Sequence, residues 1–241
     1  MKTFENCKFY DLHNYDLQDS GGGWIFSDME FVDCQFIGCT FSTFEKSLFN
    51  EQEFVRTVAQ NLRFVNCTID GVHIGPGIVE DTTIDGLKLR KHMQTWGTVF
   101  KHVVIKGVVD KLMLTPYVDV LGNFPHVQRY FDRANSEYYE DVDWALDISE
   151  ASFKDCDIRA IPARLIRRDP STQVVLTREK AMQGKWRELD LSGTFWPTAI
   201  ELFLESGYKD ELLVAPKKAR NFRQLLEGLN KLRDAGVVEP D

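Results

Sequence analysis

Phe64-Val65-Asn66-Cys67-Thr68-Ile69-Asp70-Gly71 is the stretch on which the fold reading turns. Its two large apolar residues, Phe64 and Ile69, stand five apart. The same step continues in both directions: Phe44, Phe49, Phe54, Ala59, Phe64, Ile69, Ile74, Val79, Ile84, Leu89, Gln94, Val99, Val104, Val109, Leu114. Only Ala59 and Gln94 are not bulky and apolar, in a chain that is 43% hydrophobic. A period of five matches neither the 3.6 of a helix nor the 2 of a strand. Fixed short periods are the mark of stacked repeats, in which each unit buries its apolar side chains against the next.

A second register accompanies the first. Two residues before these centres stand Ser42, Ser47, Thr57, Cys67, Val72, Gly77, Thr82, Gly97 and Gly107. A large inward residue beside a small one suits a narrow packed interior. An earlier stretch, Phe31-Val32-Asp33-Cys34-Gln35-Phe36-Ile37-Gly38-Cys39-Thr40-Phe41, repeats the unit in another phase. With these residues in view, the chain resembles the pentapeptide-repeat proteins, as a divergent member. Leu62, Leu87, His92, His102 and Leu112 depart from the family pattern at positions that should be small.

The resemblance implies a mainly β fold: a right-handed quadrilateral β-helix, a solenoid with about twenty residues per coil. Phe44, Phe64, Ile84 and Val104 would then stack, as would Ile69, Leu89 and Val109, one strand spacing of about 4.8 Å apart. A six-residue repeat, as in left-handed β-helix acyltransferases, loses phase within two units. Polysaccharide-lyase-like β-helices have longer and less regular coils.

The expected organisation is a β-helix over 1–163, with 116–145 inserted as a loop and helix, and a mixed, helical capping region over 164–241. Gly21-Gly22-Gly23-Trp24 reads as a turn between coils, because no helix with Lys and Ser/Thr follows it. The change of phase near Ser42-Thr43 reads as a shortened corner. The insertion holds a helix from His126 to Asp143, with Val127, Tyr130, Phe131 and Ala134 facing the solenoid. Gln173–Thr177 reads as a strand over the open end. Two helices close the chain: Thr198 to Ser206 behind Pro197, and Ala219 to Asp234 with Phe222, Leu225, Leu226, Leu229 and Leu232 on one stripe.

Composition limits the function. Residues 1–150 carry 13 Lys+Arg and 23 Asp+Glu, a net of −10; residues 151–241 carry 16 and 14, a net of +2, which sum to the −8 of the whole chain. The acidic front argues against direct nucleic-acid binding and permits a basic protein partner. No apolar run reaches the roughly 20 residues of a membrane span, and Met1 to Cys7 enter the repeat directly, so a cytoplasmic protein is expected. Cys7, Cys34, Cys39, Cys67 and Cys156 all precede a repeat centre by two, which reads as five reduced thiols in small inward slots rather than metal ligands. His13, His73, His92, His102 and His126 show no metal-ligand spacing. Asp70 and Asp110 with Arg90 between them read as a surface ion-pair ladder. No cofactor, metal site or catalytic motif is indicated.

The chain therefore reads as a non-enzymatic protein-binding module with a rigid acidic surface. Glu137, Glu140, Asp141 and Asp143 beside Tyr138 and Tyr139 form the candidate partner-binding patch, since Tyr beside acid suits an interface. The family resemblance adds protective, toxin-neutralising and topoisomerase-binding DNA-mimic roles, the last opposed by outward Lys91, Lys101, Lys106 and Lys111. The alternatives are a β-helix carbohydrate-active enzyme, which needs paired carboxylates in a groove, and a structural scaffold. A homodimer through the C-terminal helix is a further expectation.

Overall fold

The computed structural model describes residues 1–11, 25–41, 56–91, 93–118 and 125–239. The Gly21-Gly22-Gly23-Trp24 turn, the Ser42-Thr43 corner, Phe44, Phe49 and Phe54, and His13 and His92 lie outside the described residues. The chain begins with strands β1 (Lys2–Glu5), β2 (Lys8–Tyr10), β3 (Ile25–Val32), β4 (Gln35–Ile37), β5 (Thr40–Phe41), β6 (Thr57–Asp70), β7 (Val72–Ile74), β8 (Gly77–Glu80) and β9 (Thr83–Leu89). It continues through β10 (Met93–Trp96), β11 (Val99–Lys101), β12 (Val103–Thr115), helix α1 (Pro125–Tyr138), β13 (Leu146–Asp147) and β14 (Ala151–Ile158). Last come β15 (Ile166–Arg167), β16 (Gln173–Thr177), α2 (Arg178–Met182), α3 (Trp196–Ser206), β17 (Asp210–Val214) and α4 (Phe222–Asp234).

The expected quadrilateral solenoid is not the architecture found. Among the described residues the fold is mixed α/β and mainly strands: an open, curled, all-parallel sheet, a half-barrel, with four helices and a two-stranded antiparallel ribbon. Its main path runs β1-β3-β6-β9-β12-β10-β7-β5, with the other segments pairing alongside. Among the described residues the path ends at β1 and β5 instead of closing on itself. The column expected to be packed is instead a trough that encloses empty volume.

Curvature comes from long strands that bend. β6 pairs with β8 through Thr57 to Gln60 and with β9 through Arg63 to Ile69. Between these two runs stands Asn61, at φ 52°, and Asn66 at φ 51° interrupts the second. β12 likewise pairs with β9 through Val104 to Lys106 and with β10 at Leu114 and Thr115. The break of register after Lys106 falls at Gly107, φ 70°. A Cβ there would lie 3.0 Å from Asp85 Oδ1 and 3.2 Å from the Gly86 nitrogen, so this bend needs glycine.

These left-handed residues explain the period of five. Asn6 follows Phe4 by two, Asp33 follows Phe31, Asn66 follows Phe64, Asp81 follows Val79, Gly86 follows Ile84, His102 follows Phe100 and Gly107 follows Ile105. Asn, Asp and Gly are the residues that tolerate φ near +60°. Each unit is thus an inward residue followed by a corner. Two expected pairings occur, Phe64 with Ile84 and Ile69 with Leu89. A third is displaced by one: Ile84 pairs with Ile105, not Val104. The phase slips before Thr95, after which Thr95, Phe100 and Ile105 face inward.

Four of the five cysteines sit as expected, while Cys7 is only half-buried. Cys34, Cys39, Cys67 and Cys156 are buried, and all five are free. Cys34 donates to the Phe4 carbonyl at 3.3 Å and Cys67 to that of Phe31 at 3.3 Å, so thiols bridge neighbouring layers. Burial pushes the Cys67 thiol up to about 11.

A second core lies C-terminal to the sheet. β16 and β17 pair antiparallel, and their side chains alternate between the two cores. Val174, Leu176 and Leu213 belong to the helical cluster, with Trp186, Trp196, Ile200, Phe203, Leu225, Leu229 and Leu232. Val175, Leu212 and Val214 face the sheet core. The α4 stripe is therefore filled within its own chain, with Leu225, Leu229 and Leu232 buried. Pro197 in the first turn of α3 and Gly207 at φ 82° beyond its end bracket that helix.

Candidate functional site

The concave side of the sheet encloses a hollow of about 350 Å³. Its walls are the inward residues of successive units. Phe4, Phe31 and Phe64 stack at ring-centroid distances of 5.3 and 5.1 Å, and Phe9 stacks on Phe36 at 5.0 Å. Ile84, Phe100 and Ile105 continue the lining. No charged residue is among the described lining residues. Four threonines, Thr57, Thr82, Thr95 and Thr98, supply the hydroxyls there.

Three of those hydroxyls are accounted for. Thr82 donates to the Glu80 carbonyl at 2.8 Å and Thr98 to that of Gly75 at 2.8 Å. Thr57 also has a partner. Thr95 is 4% exposed, and its Oγ1 is buried with no hydrogen-bond partner. Thr95 stands in the strand-paired column between Ile74 and Leu114, where both neighbours are aliphatic.

The patch expected from sequence divides into two parts. Tyr138 and Tyr139 are not on the surface as a binding pair. Tyr139 is 4% exposed and its hydroxyl accepts a hydrogen bond from the Phe100 backbone N–H at 3.3 Å. Tyr138 is half-buried and donates to Glu80 at 2.8 Å. Burial pushes both phenols up. They anchor the end of α1 to the sheet. Glu137, Glu140, Asp141 and Asp143 are exposed, as expected. Glu137 lies 3.8 Å from Arg133 on the same helix.

Asp143 belongs to a contact that sequence spacing did not suggest. His102 is gripped from both sides: Nδ1 is 3.0 Å from Asp81 and Nε2 is 2.6 Å from Asp143. The hydrogen bond to Asp143 is the main cause of a raised His102 pKa. The His102 ring also lies against Trp144, at 4.8 Å between centroids, and Arg167 covers Trp144 at 4.1 Å. The exposed acids thus form a corner with Asp81, His102 and Asp143 at its base.

The expected column of Asp70, Arg90 and Asp110 takes other partners. Lys91 pairs with Asp70 at 3.1 Å, and Lys154 pairs with Asp110. Lys106 and Lys111 are likewise paired, with Asp85 and Asp155. Glu211 has a carboxyl raised to about 7, mainly by burial and then by Asp157. The Asp157 carboxylate is held by Arg159 through both oxygens at 3.0 Å. Among the described residues no group of three or more His, Cys, Asp or Glu could hold a metal ion. No described helix is long and apolar enough to cross a membrane.

Comparison with protein-family models, curated proteins and solved structures finds no match. The likeness to pentapeptide-repeat proteins is therefore not supported, and the open curled sheet, in place of a solenoid, overturns it.

Proposed function

We propose that this chain is a non-enzymatic binding protein that holds an elongated apolar molecule in the hollow of its curled sheet. The size and chemistry of that hollow carry the reading. An apolar ligand seated against these walls removes hydrophobic surface from water, both its own and the protein's. The volume falls within the range of small-molecule sites. The described walls offer no acid or base to activate a hydroxyl, which favours binding over catalysis. Reduced, buried thiols suit a cytoplasmic setting.

The test is uptake of the uncharged dye N-phenyl-1-naphthylamine, followed by its fluorescence. The intact chain should enhance the emission with a saturable one-site curve. Ala59→Phe, which adds a ring to the lining, should abolish uptake while the circular dichroism stays unchanged. No saturable uptake by the intact chain would mean that its own side chains fill the space, and the reading fails.

A second reading rests on the exposed corner of Glu137, Glu140, Asp141 and Asp143, with Asp81 beside it. These carboxylates suit a basic protein partner. Changing the four acids of 137–143 to Ala and repeating affinity capture checks it: an unchanged set of partners rejects the corner as a binding surface.

A further inference from the structure

Building on the hollow as a binding site, we infer that its ligand carries one hydrogen-bonding oxygen and that Thr95 is the residue that receives it. Every other described layer of this wall places an apolar side chain in the equivalent slot. Phe64, Ile69, Val79, Ile84, Phe100 and Ile105 each stand two residues before a left-handed corner, as Thr95 stands two before Gly97. Valine has nearly the same shape as threonine and brings no hydroxyl to desolvate. Yet the slot holds a hydroxyl with nothing to bond, while the other three threonines of the lining have partners.

Thr95 also stands at a junction. Its side chain lines both the hollow and a second, much smaller pocket of about 10 Å³, whose walls include Thr98, Asn135 and Arg159. Rotation of the Thr95 side chain into another staggered well carries its hydroxyl to a new position, so the hydroxyl can turn towards a bound group. Arg159 is already held by Asp157, which leaves the Thr95 hydroxyl as the unengaged group. The chemistry that fits is an unbranched aliphatic chain ending in a hydroxyl. At about 30 Å³ for each water-sized group, a hollow of about 350 Å³ takes a chain of roughly ten heavy atoms.

The experiment compares 1-octanol with octane as competitors for bound N-phenyl-1-naphthylamine, in the intact chain, Thr95→Val and Thr95→Ser. In the intact chain the two competitors set a ratio of apparent affinities. Thr95→Val should shift that ratio about tenfold against 1-octanol, and Thr95→Ser should leave it within about twofold. An unchanged ratio in a folded Thr95→Val protein overturns the role of Thr95 and leaves the hollow as a site. If neither compound displaces the dye from any of the three proteins, the hollow reading and this inference fall together.

Discussion

His102 Nε2 lies 2.6 Å from Asp143 Oδ1 while its Nδ1 lies 3.0 Å from Asp81, so one imidazole ties the segment after α1 to two turns of the sheet. Both ring nitrogens can donate only in the charged form. The His102 pKa is raised, first by the hydrogen bond to Asp143. The Asp143 pKa is lowered, first by His102. A raised histidine contributes stability that is complete below its unfolded value and disappears as pH rises through its folded value. A lowered carboxylate contributes stability above its unfolded value and loses it as pH falls through the folded one. The staple therefore works best on the acidic side of neutrality, above the carboxylate range. Tm measured across pH should fall more steeply above neutrality for the intact chain than for His102→Asn, a residue that also accepts the positive φ. Parallel curves for the two proteins would show that the contact contributes nothing.

Tyr139 gives a second expectation. Its buried hydroxyl accepts the Phe100 backbone N–H at 3.3 Å. Tyr139→Phe leaves that N–H without a partner in a dry environment and should destabilise the chain by about 1–2 kcal/mol. Glu137→Ala, exposed in the last turn of α1, should change stability by less than about 0.5 kcal/mol. Urea unfolding of the two variants checks the contrast.

Gly228 gives the third. It lies within α4, where alanine is usually the better helix former by roughly 1 kcal/mol. Here an added Cβ would lie 2.7 Å from Trp196 Cδ1 and 2.8 Å from its Nε1. Trp196 is fully buried and its indole N–H donates to the Leu225 carbonyl at 3.0 Å, so it has little room to retreat. Overpacking wins: Gly228→Ala should destabilise by about 1–3 kcal/mol. A stabilised variant in thermal unfolding would refute this packing.

Thr95 gives the fourth, in the absence of any ligand. Thr95→Val removes a buried hydroxyl that has no partner. Unfolding in urea should show a gain of roughly 1 kcal/mol, whereas a loss would mean that the hydroxyl is bonded in the folded protein.

Part of the strand pairing was legible in the chain, and the reasons are specific. The five-residue step set the pairings of Phe64 with Ile84 and of Ile69 with Leu89, because inward side chains recur once per unit. The step did not reveal the slip that puts Ile105, not Val104, opposite Ile84. A third register would have shown it: Gly97, His102 and Gly107 mark the left-handed corners. Closure was not legible either, since the same spacing serves a filled column and an open trough. The burial of Tyr139 has its own signal in the helical spacing. The α1 stripe of Val127, Phe131 and Ala134 continues by helical spacing to Tyr138, and Asn135 leads to Tyr139. Acidic neighbours drew both tyrosines to the surface in the reading, whereas the stripe draws them inward. The contact of His102 with Asp81 and Asp143 joins residues 21 and 41 positions apart, and no local pattern encodes it.

The antiparallel pair β16–β17 presents Val174 and Leu213 to one core and Val175 and Leu212 to the other. A ribbon two strands wide cannot dissolve on one side and persist on the other, because the same backbone bonds hold both sets of side chains. Heat should therefore take the half-barrel and the helical cluster together, as a single calorimetric event in a chain whose sequence suggests two parts.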